Sequence, residues 1–170
     1  AMLAMAVSHG AAATTMVTSA APSGGWQGPA VMAVWGVGSL VGGAVVLVRG
    51  DLAGPLATTA VGSVAFAAVA VVATWLQATG FALMALVFLL GVPISSMVSA
   101  VFRGSGPAAP AARQVELFAF YTSLSFLGFS LGSAVAGWIL EGTGLANSGF
   151  VVAAAGSIAV LAPLLGVATV

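Results

Sequence analysis

The stretch that decides the fold is Glu116–Gly142, ELFAFYTSLSFLGFSLGSAVAGWILEG, which carries no charge between Glu116 and Glu141. Such an uncharged run is longer than the roughly 20 apolar residues that cross the hydrocarbon core of a bilayer. Small residues at four-residue spacing, among them Gly128, Gly132 and Ala136, share one helical face. Because apolar side chains gain little by leaving lipid, this face is typical of a membrane helix that packs closely against a neighbour.

The composition of the whole chain also indicates a membrane protein. Its 170 residues are 61% hydrophobic and only 4% charged, whereas a soluble domain carries about 25% charged residues. The sequence therefore predicts an integral membrane protein. With zero net charge, no cysteine and a single histidine, we expect no nucleic-acid partner, no disulfide, no metal site and no cofactor.

Turn-forming residues divide the chain into apolar segments that predict an all-α, integral membrane helical bundle of about six transmembrane helices in a single domain, 1–170. The expected spans are about 1–21, 28–48, 54–76, 81–102, 116–142 and 149–169. The longest connection is the loop 103–113, and Pro93 is expected to kink the fourth span. Hydropathy of the alternating kind that marks a barrel strand is absent.

Charge placement predicts the topology. Two spans separate Arg49 from the loop 103–113, so all three arginines fall on the same side of the membrane. Positive residues mark the cytoplasmic side. We therefore expect a cytoplasmic loop at 103–113 and, with six spans, two cytoplasmic termini.

The order of features resembles the carboxy-terminal half of a major facilitator superfamily transporter, in particular the drug-efflux-like proton antiporters of bacteria. The similarity is carried mainly by residues 112–155, where spaced glycines, an outer acidic residue and a Phe-Val-Val-Ala-Ala start of the last span follow Glu116. Gly91-Val92-Pro93-Ile94-Ser95 is similar to the tenth family helix. The run 38–43, followed by Arg49 and Asp51, is similar to the loop between the eighth and ninth.

The resemblance implies secondary transport. Such transporters rock one six-helix bundle against another around a midplane site, so this half implies a second six-helix bundle from the same polypeptide or another chain. The expected activity is proton-coupled efflux of a small amphipathic solute across the bacterial inner membrane, without enzymatic chemistry. The alternative is a non-transporting structural subunit of a larger membrane complex.

Polar residues within the spans are the candidate substrate contacts. His9 is ionisable and lies mid-span, which favours a role in proton coupling or substrate binding; the alternative is a neutral imidazole bonded to a threonine or a backbone carbonyl. The resemblance places the fourth and fifth spans at the cavity, where interhelical hydrogen bonding is the alternative role for polar groups. The candidates are His9, Thr14, Ser95, Ser96, Tyr121, Thr122 and Ser125.

Charged residues at the span ends are candidates for gating. Glu116 could pair with Arg113 or Arg103, although a carboxylate in a first helical turn is also favoured by the helix dipole alone. Arg49 and Asp51 form either a solvated turn or, by the resemblance, part of a gate.

Glycines complete the candidate set. The expected helix-packing positions are Gly38, Gly42, Gly128, Gly132 and Gly137. The letters Gly128-Phe129-Ser130-Leu131-Gly132 also match a hydrolase nucleophile motif, but that motif requires a strand-to-helix turn. Here the same letters lie inside a helix, so a chance match is favoured.

Overall fold

The fold is a bundle of helices, known here from a computed structural model. The structure describes residues 1–21, 26–49, 54–106, 110–145 and 147–167. Its helices are α1 (Met2–Ala20), α2 (Gln27–Arg49), α3 (Gly54–Leu76), α4 (Gly80–Ser105), α5 (Gln114–Thr143), α6 (Gly149–Ala159) and α7 (Leu161–Val167). Within the described ranges there is no strand, and the all-α bundle expected from the sequence is confirmed.

Two boundaries differ from the expectation. α4 continues through Arg103 to Ser105, and a short 3-10 turn at Ala111–Arg113 leads directly into α5, so the loop 103–113 is shorter than expected. The sixth span is interrupted, since Val160 separates α6 from α7. Pro93 is buried within α4, which is helical on both sides of it.

Four of the helices are long and apolar enough to cross a bilayer. They are α2, α3, α4 and α5. The more polar α1 lies outside this set, yet 13 of its 19 residues are buried. Most of its polar side chains, namely Ser8, His9, Thr15 and Ser19, are buried by the surrounding helices, which explains how a less apolar helix fits into an otherwise apolar bundle.

Helices that follow one another along the chain alternate in direction. Ser133 Oγ donates to the carbonyl oxygen of Gly10 at 3.1 Å, while Gly128 lies against Ala6, so α5 runs parallel to α1. Ser8 Oγ donates to Ala153, and Thr15 lies against Gly149, so α6 runs antiparallel to α1. The three arginines and the start of α1 consequently lie at one end of the bundle, and Glu141 lies at the other.

The helix packing has an internal symmetry. The most extensive contacts join α1 to α5 and α2 to α4, followed by α3 with α4, α1 with α6, and α3 with α6. If α1 is swapped with α4, α2 with α5 and α3 with α6, each of these five pairs becomes a pair of the same set. Because each unit has three helices of alternating direction, the two units begin at opposite ends of the bundle. The chain thus folds as two inverted three-helix repeats.

Glycines bring the two largest helix pairs into contact. A Cβ built at Gly132 would overlap the carbonyl group of Val7, and one built at Gly42 would overlap that of Val92. Gly128 and Gly38 lie one turn earlier in α5 and α2, again against backbone of the facing helix. Both pairs therefore depend on backbone-to-backbone contact, as expected for helices that associate in lipid.

Candidate functional site

A cavity of about 270 Å³ lies between α1, α4 and α5. The polar side chains on its wall are His9, Thr122 and Ser125, three of the residues expected from the sequence to contact substrate. Its remaining wall is apolar or aromatic, consisting of Met2, Met5, Ala6, Val98, Phe102, Phe126 and Phe129. The cavity therefore combines an apolar lining with a few polar groups, the usual character of a small-molecule site.

His9 is the most enclosed polar group of this cavity. Its side chain is 9% exposed, and its Nε2 atom has no hydrogen-bond partner among the described residues. A buried polar atom without a partner costs about 1–3 kcal/mol. Such an arrangement favours a polar group that arrives from outside the protein, such as a water molecule or a bound solute.

Trp35 of α2 adds a second buried ring nitrogen next to His9. Its ring meets that of His9 edge to face, with centroids 6.4 Å apart, and Phe66 packs on the other side of the imidazole at 5.2 Å. The indole Nε1 is also buried without a partner in the described part of the chain. Two buried ring nitrogens without described partners therefore lie on adjacent aromatic rings at this point.

The sequence reasoning did not identify Trp35, although a signal was available. Tryptophans of membrane proteins concentrate at the two bilayer interfaces. Trp26 and Trp75 fit that rule because they lie next to the ends of their helices. Trp35 lies eight residues inside α2, away from the helix ends where an interfacial tryptophan is expected.

Thr122 and Ser125 of α5 both line the cavity. Ser125 Oγ donates to the carbonyl of Tyr121 at 2.8 Å, and Thr122 Oγ1 donates to that of Phe118 at 2.9 Å. Both hydroxyls are thus satisfied within the helix and present lone pairs to the cavity. The Tyr121 ring packs on Phe102 with centroids 5.8 Å apart, beside the cavity.

Three other candidates lie outside this cavity. Thr14 is half-buried, and its carbonyl accepts a hydrogen bond from Thr18. Ser95 Oγ lies 2.6 Å from Ser39 Oγ, a hydrogen bond between α4 and α2. Ser96 Oγ donates to the carbonyl of Pro93 at 2.7 Å and lines a separate cleft.

The charged candidates are spread over one end of the bundle. Arg49 ends α2, Arg113 immediately precedes α5, and Glu116 is exposed in the first turn of α5, where the helix dipole favours a carboxylate. Asp51 lies outside the described residues.

Among the candidate packing glycines, Gly137 differs from the other four. A Cβ built at Gly137 meets no other atom of the described chain within 4 Å. Although α6 begins against the adjacent Ala136, Gly137 does not lie at a helix contact.

A second and larger space lies between α2, α3 and α4. This cleft, of about 560 Å³, has α4 as its floor and α2 and α3 as its walls. Arg49 lines one end of it, and the remaining lining is almost entirely aliphatic. Within the described ranges no acidic residue and no histidine contributes to it.

The two cavities coincide with the two places where the packing symmetry fails. α5 packs against α6, but the equivalent helices α2 and α3 scarcely touch in the described structure, and the cleft lies between them. Likewise α1 packs against α2, whereas α4 and α5 are separated by the cavity that contains His9. The symmetry thus identifies both cavities as departures from an otherwise repeated arrangement.

Neither a family model, nor a curated protein, nor a solved structure matches the chain. The functional argument therefore depends on the residues and their geometry.

Proposed function

We propose that this chain is one six-helix half of a secondary active transporter that moves a small amphipathic solute by alternating access, with efflux driven by proton exchange. The observation that carries the proposal is the packing of two inverted three-helix repeats. Nested repeats of this kind are the architecture in which facilitator-type transporters place a substrate site near the bilayer midplane.

The least buried helices support a partner bundle. Only three residues of α2 and three of α5 are fully buried, and most of them are glycines. These two helices are equivalent under the internal symmetry. Large apolar side chains such as Leu40, Phe126 and Trp138 are correspondingly exposed. A second bundle that packs on α2 and α5 would cover both helices with one symmetric interface.

The cavity with His9 supports a solute site. Its volume of about 270 Å³ is slightly below the lower limit of about 300 Å³ for typical ligand pockets, as expected if a second bundle supplies the other wall. Three helices contribute to it, and among the described residues that line it only His9 has an ionisable side chain. The apolar lining accepts the apolar part of a solute, while the imidazole and the hydroxyls bind its polar part.

The test is a flux assay in proteoliposomes that contain the complete polypeptide or assembly to which this chain belongs. An imposed pH gradient is expected to drive accumulation of a fluorescent amphipathic dye beyond the level in protein-free liposomes, and dissipation of the gradient by a protonophore should abolish this excess. No gradient-dependent flux for any amine or amphipathic dye in a broad panel would contradict the proposal.

A structural subunit would produce a different result in the same preparation. Purified with its native neighbours, such a subunit would be recovered within a large unrelated assembly and would show no solute-protectable cavity. The proposal expects protection instead. Bound solute should slow modification of a cysteine introduced at Ser125, since that side chain lies on the cavity wall.

A further inference from the structure

The cleft between α2 and α3 is not used by the proposed transport site. It lies on the opposite side of α4 from the cavity with His9, and the two share no lining residue. In the other repeat the corresponding helices, α5 and α6, pack against each other. The described chain itself therefore leaves the larger space between α2 and α3 unfilled.

The lining of the cleft is that of an acyl-chain site. Its walls consist of aliphatic and small residues, including Val45, Val61, Ala65, Val69, Leu89 and Val92. Gly42 and Gly62 keep the helices close at its base, because a Cβ at either position would overlap an atom of α4. An open aliphatic cleft with few polar atoms suits a hydrocarbon chain and offers little to a polar solute.

The length of the cleft is close to that of one leaflet. Along α3 its lining extends from Ala57 to Val69, a distance of about 18 Å at 1.5 Å per residue. One half of a hydrocarbon core of roughly 30 Å is about 15 Å. The cleft thus begins near the end of the bundle at Ala57 and extends about 6 Å past Ala65, the middle of α3, so it is somewhat longer than one leaflet.

The charge of Arg49, at one end of the cleft, indicates what kind of head group a bound molecule carries. Arg49 is the last residue of α2 and the only charged residue among those described that line the cleft. A guanidinium group binds phosphate oxygens through paired hydrogen bonds. An aliphatic cleft of about one-leaflet length that ends at an arginine matches a phospholipid with its phosphate at the membrane surface.

We propose that the cleft between α2, α3 and α4 is a binding site for one anionic phospholipid, whose acyl chain lies along Ala57–Val69 and whose phosphate contacts Arg49. This inference uses the bilayer placement assumed in the proposed function but not the transport activity. The lipid completes the contact between α2 and α3 that α5 and α6 make directly.

The experiment measures lipid retention by native mass spectrometry of the chain in mild detergent, with phosphatidylglycerol or phosphatidylcholine added. The wild-type chain is expected to retain one phosphatidylglycerol and to bind phosphatidylcholine less well. Arg49→Gln should weaken phosphatidylglycerol binding about five-fold, the value of one arginine near the lipid surface, about 1 kcal/mol. The matched control Arg113→Gln removes the same charge outside the cleft and should retain the lipid.

A second pair of variants tests the channel. Ala65→Phe places a ring in the cleft and should abolish retention of both lipids, whereas Val64→Phe, on the exposed face of the same helix, should not. The proposal would be overturned if Arg49→Gln retained as much lipid as Arg113→Gln, or if Ala65→Phe retained as much as Val64→Phe. The retained lipid would then be only the unspecific lipid that surrounds any membrane protein.

A measurement on the unaltered chain covers the case in which Ala65→Phe does not fold. Phosphatidylglycerol with a photoactivatable acyl chain should form adducts concentrated in peptides from the three cleft walls. Adducts spread evenly over all helices would refute the site. Neither readout requires flux, so a failure here leaves the transport proposal untouched, and an absence of flux leaves the lipid site intact.

Discussion

At the scale of single residues, the function depends on a few polar groups among many apolar ones. His9 and Trp35 each have a buried ring nitrogen without a partner in the described residues, while many hydroxyls of the helices donate to a carbonyl of their own helix. Ser123 and Ser125 illustrate the point, since each donates to the carbonyl four residues earlier. The two serines differ only in the direction they face.

That difference gives a matched pair of variants. Ser125→Leu should raise the apparent KM for solute efflux about ten-fold or more, because it fills part of a cavity of about 270 Å³. Ser123→Leu, which is exposed and outside the cavity, should leave the KM unchanged. The measurement is the concentration dependence of flux in proteoliposomes, and equal effects of the two variants would exclude this cavity as the solute site.

A substitution of His9 can separate a role in proton coupling from a role in solute binding. His9→Gln keeps a polar side chain of similar size but cannot gain or lose a proton. If His9 carries the coupled proton, this variant should lose flux driven by a pH gradient and keep solute exchange at equal pH on both sides. If both activities are retained, His9 is a structural residue; if both are lost with the fold intact, it binds solute.

At the scale of the helices, close backbone contact decides which pairs form. Gly132→Ala adds one methyl group against the Val7 carbonyl, where overpacking costs about 1–3 kcal/mol. Gly137→Ala adds the same group to the same helix where nothing lies within 4 Å. Thermal unfolding in detergent should show a lowered midpoint for the first variant and no loss for the second. Similar midpoints would mean that the α1–α5 contact is looser than the structure describes.

The hydrogen bond between Ser39 and Ser95 is a smaller contribution to the α2–α4 pair. A double-mutant cycle with Ser39→Ala and Ser95→Ala should give a coupling energy of about 0.6 kcal/mol, the usual value for such bonds within a membrane. The cycle Ser39→Ala with Ser123→Ala should give none, because Ser123 bonds to its own helix. A Ser39–Ser95 coupling indistinguishable from that control would assign Ser95 some other role.

Helix positions could be predicted from this sequence far better than helix partners. Apolar runs ending at turn formers gave boundaries within a few residues, as at Gly54–Leu76. The interruption at Val160 has a local signal in Pro163, whose ring clashes with the carbonyl four residues earlier, at Ala159, and this signal was missed. The spacing of Gly128 and Gly132 indicated a packing face. Gly137 lies about 140° around the helix from Gly132, so the same spacing already placed it on another face, and the prediction overlooked this.

The candidate site was predictable only in part. His9, Thr122 and Ser125 stood out as polar residues within spans, and the structure brings all three to one cavity. Ser95 and Thr14 carry the same local signal, yet they face other helices. Depth and polarity can be read from a sequence, whereas convergence on one cavity depends on how six helices are arranged.

At the scale of the whole molecule, the charges define two ends. The arginines and the start of α1 lie together, and Leu145 lies at the opposite end beyond Glu141. Because the chain has no cysteine, single cysteines can be introduced without background. In right-side-out vesicles an impermeant maleimide should label a cysteine at Leu145 but not one at Arg113. Labelling of both from the same side would contradict a six-span topology.

The central claim is that this bundle is one of two lobes around a shared cavity, and a cryo-electron microscopy structure of the native assembly in lipid nanodiscs tests it most directly. The account predicts a second six-helix bundle on α2 and α5, with the His9 cavity enclosed between the two. Density in which α2 and α5 face only lipid, or in which an unrelated subunit covers them without enclosing a cavity, would contradict it.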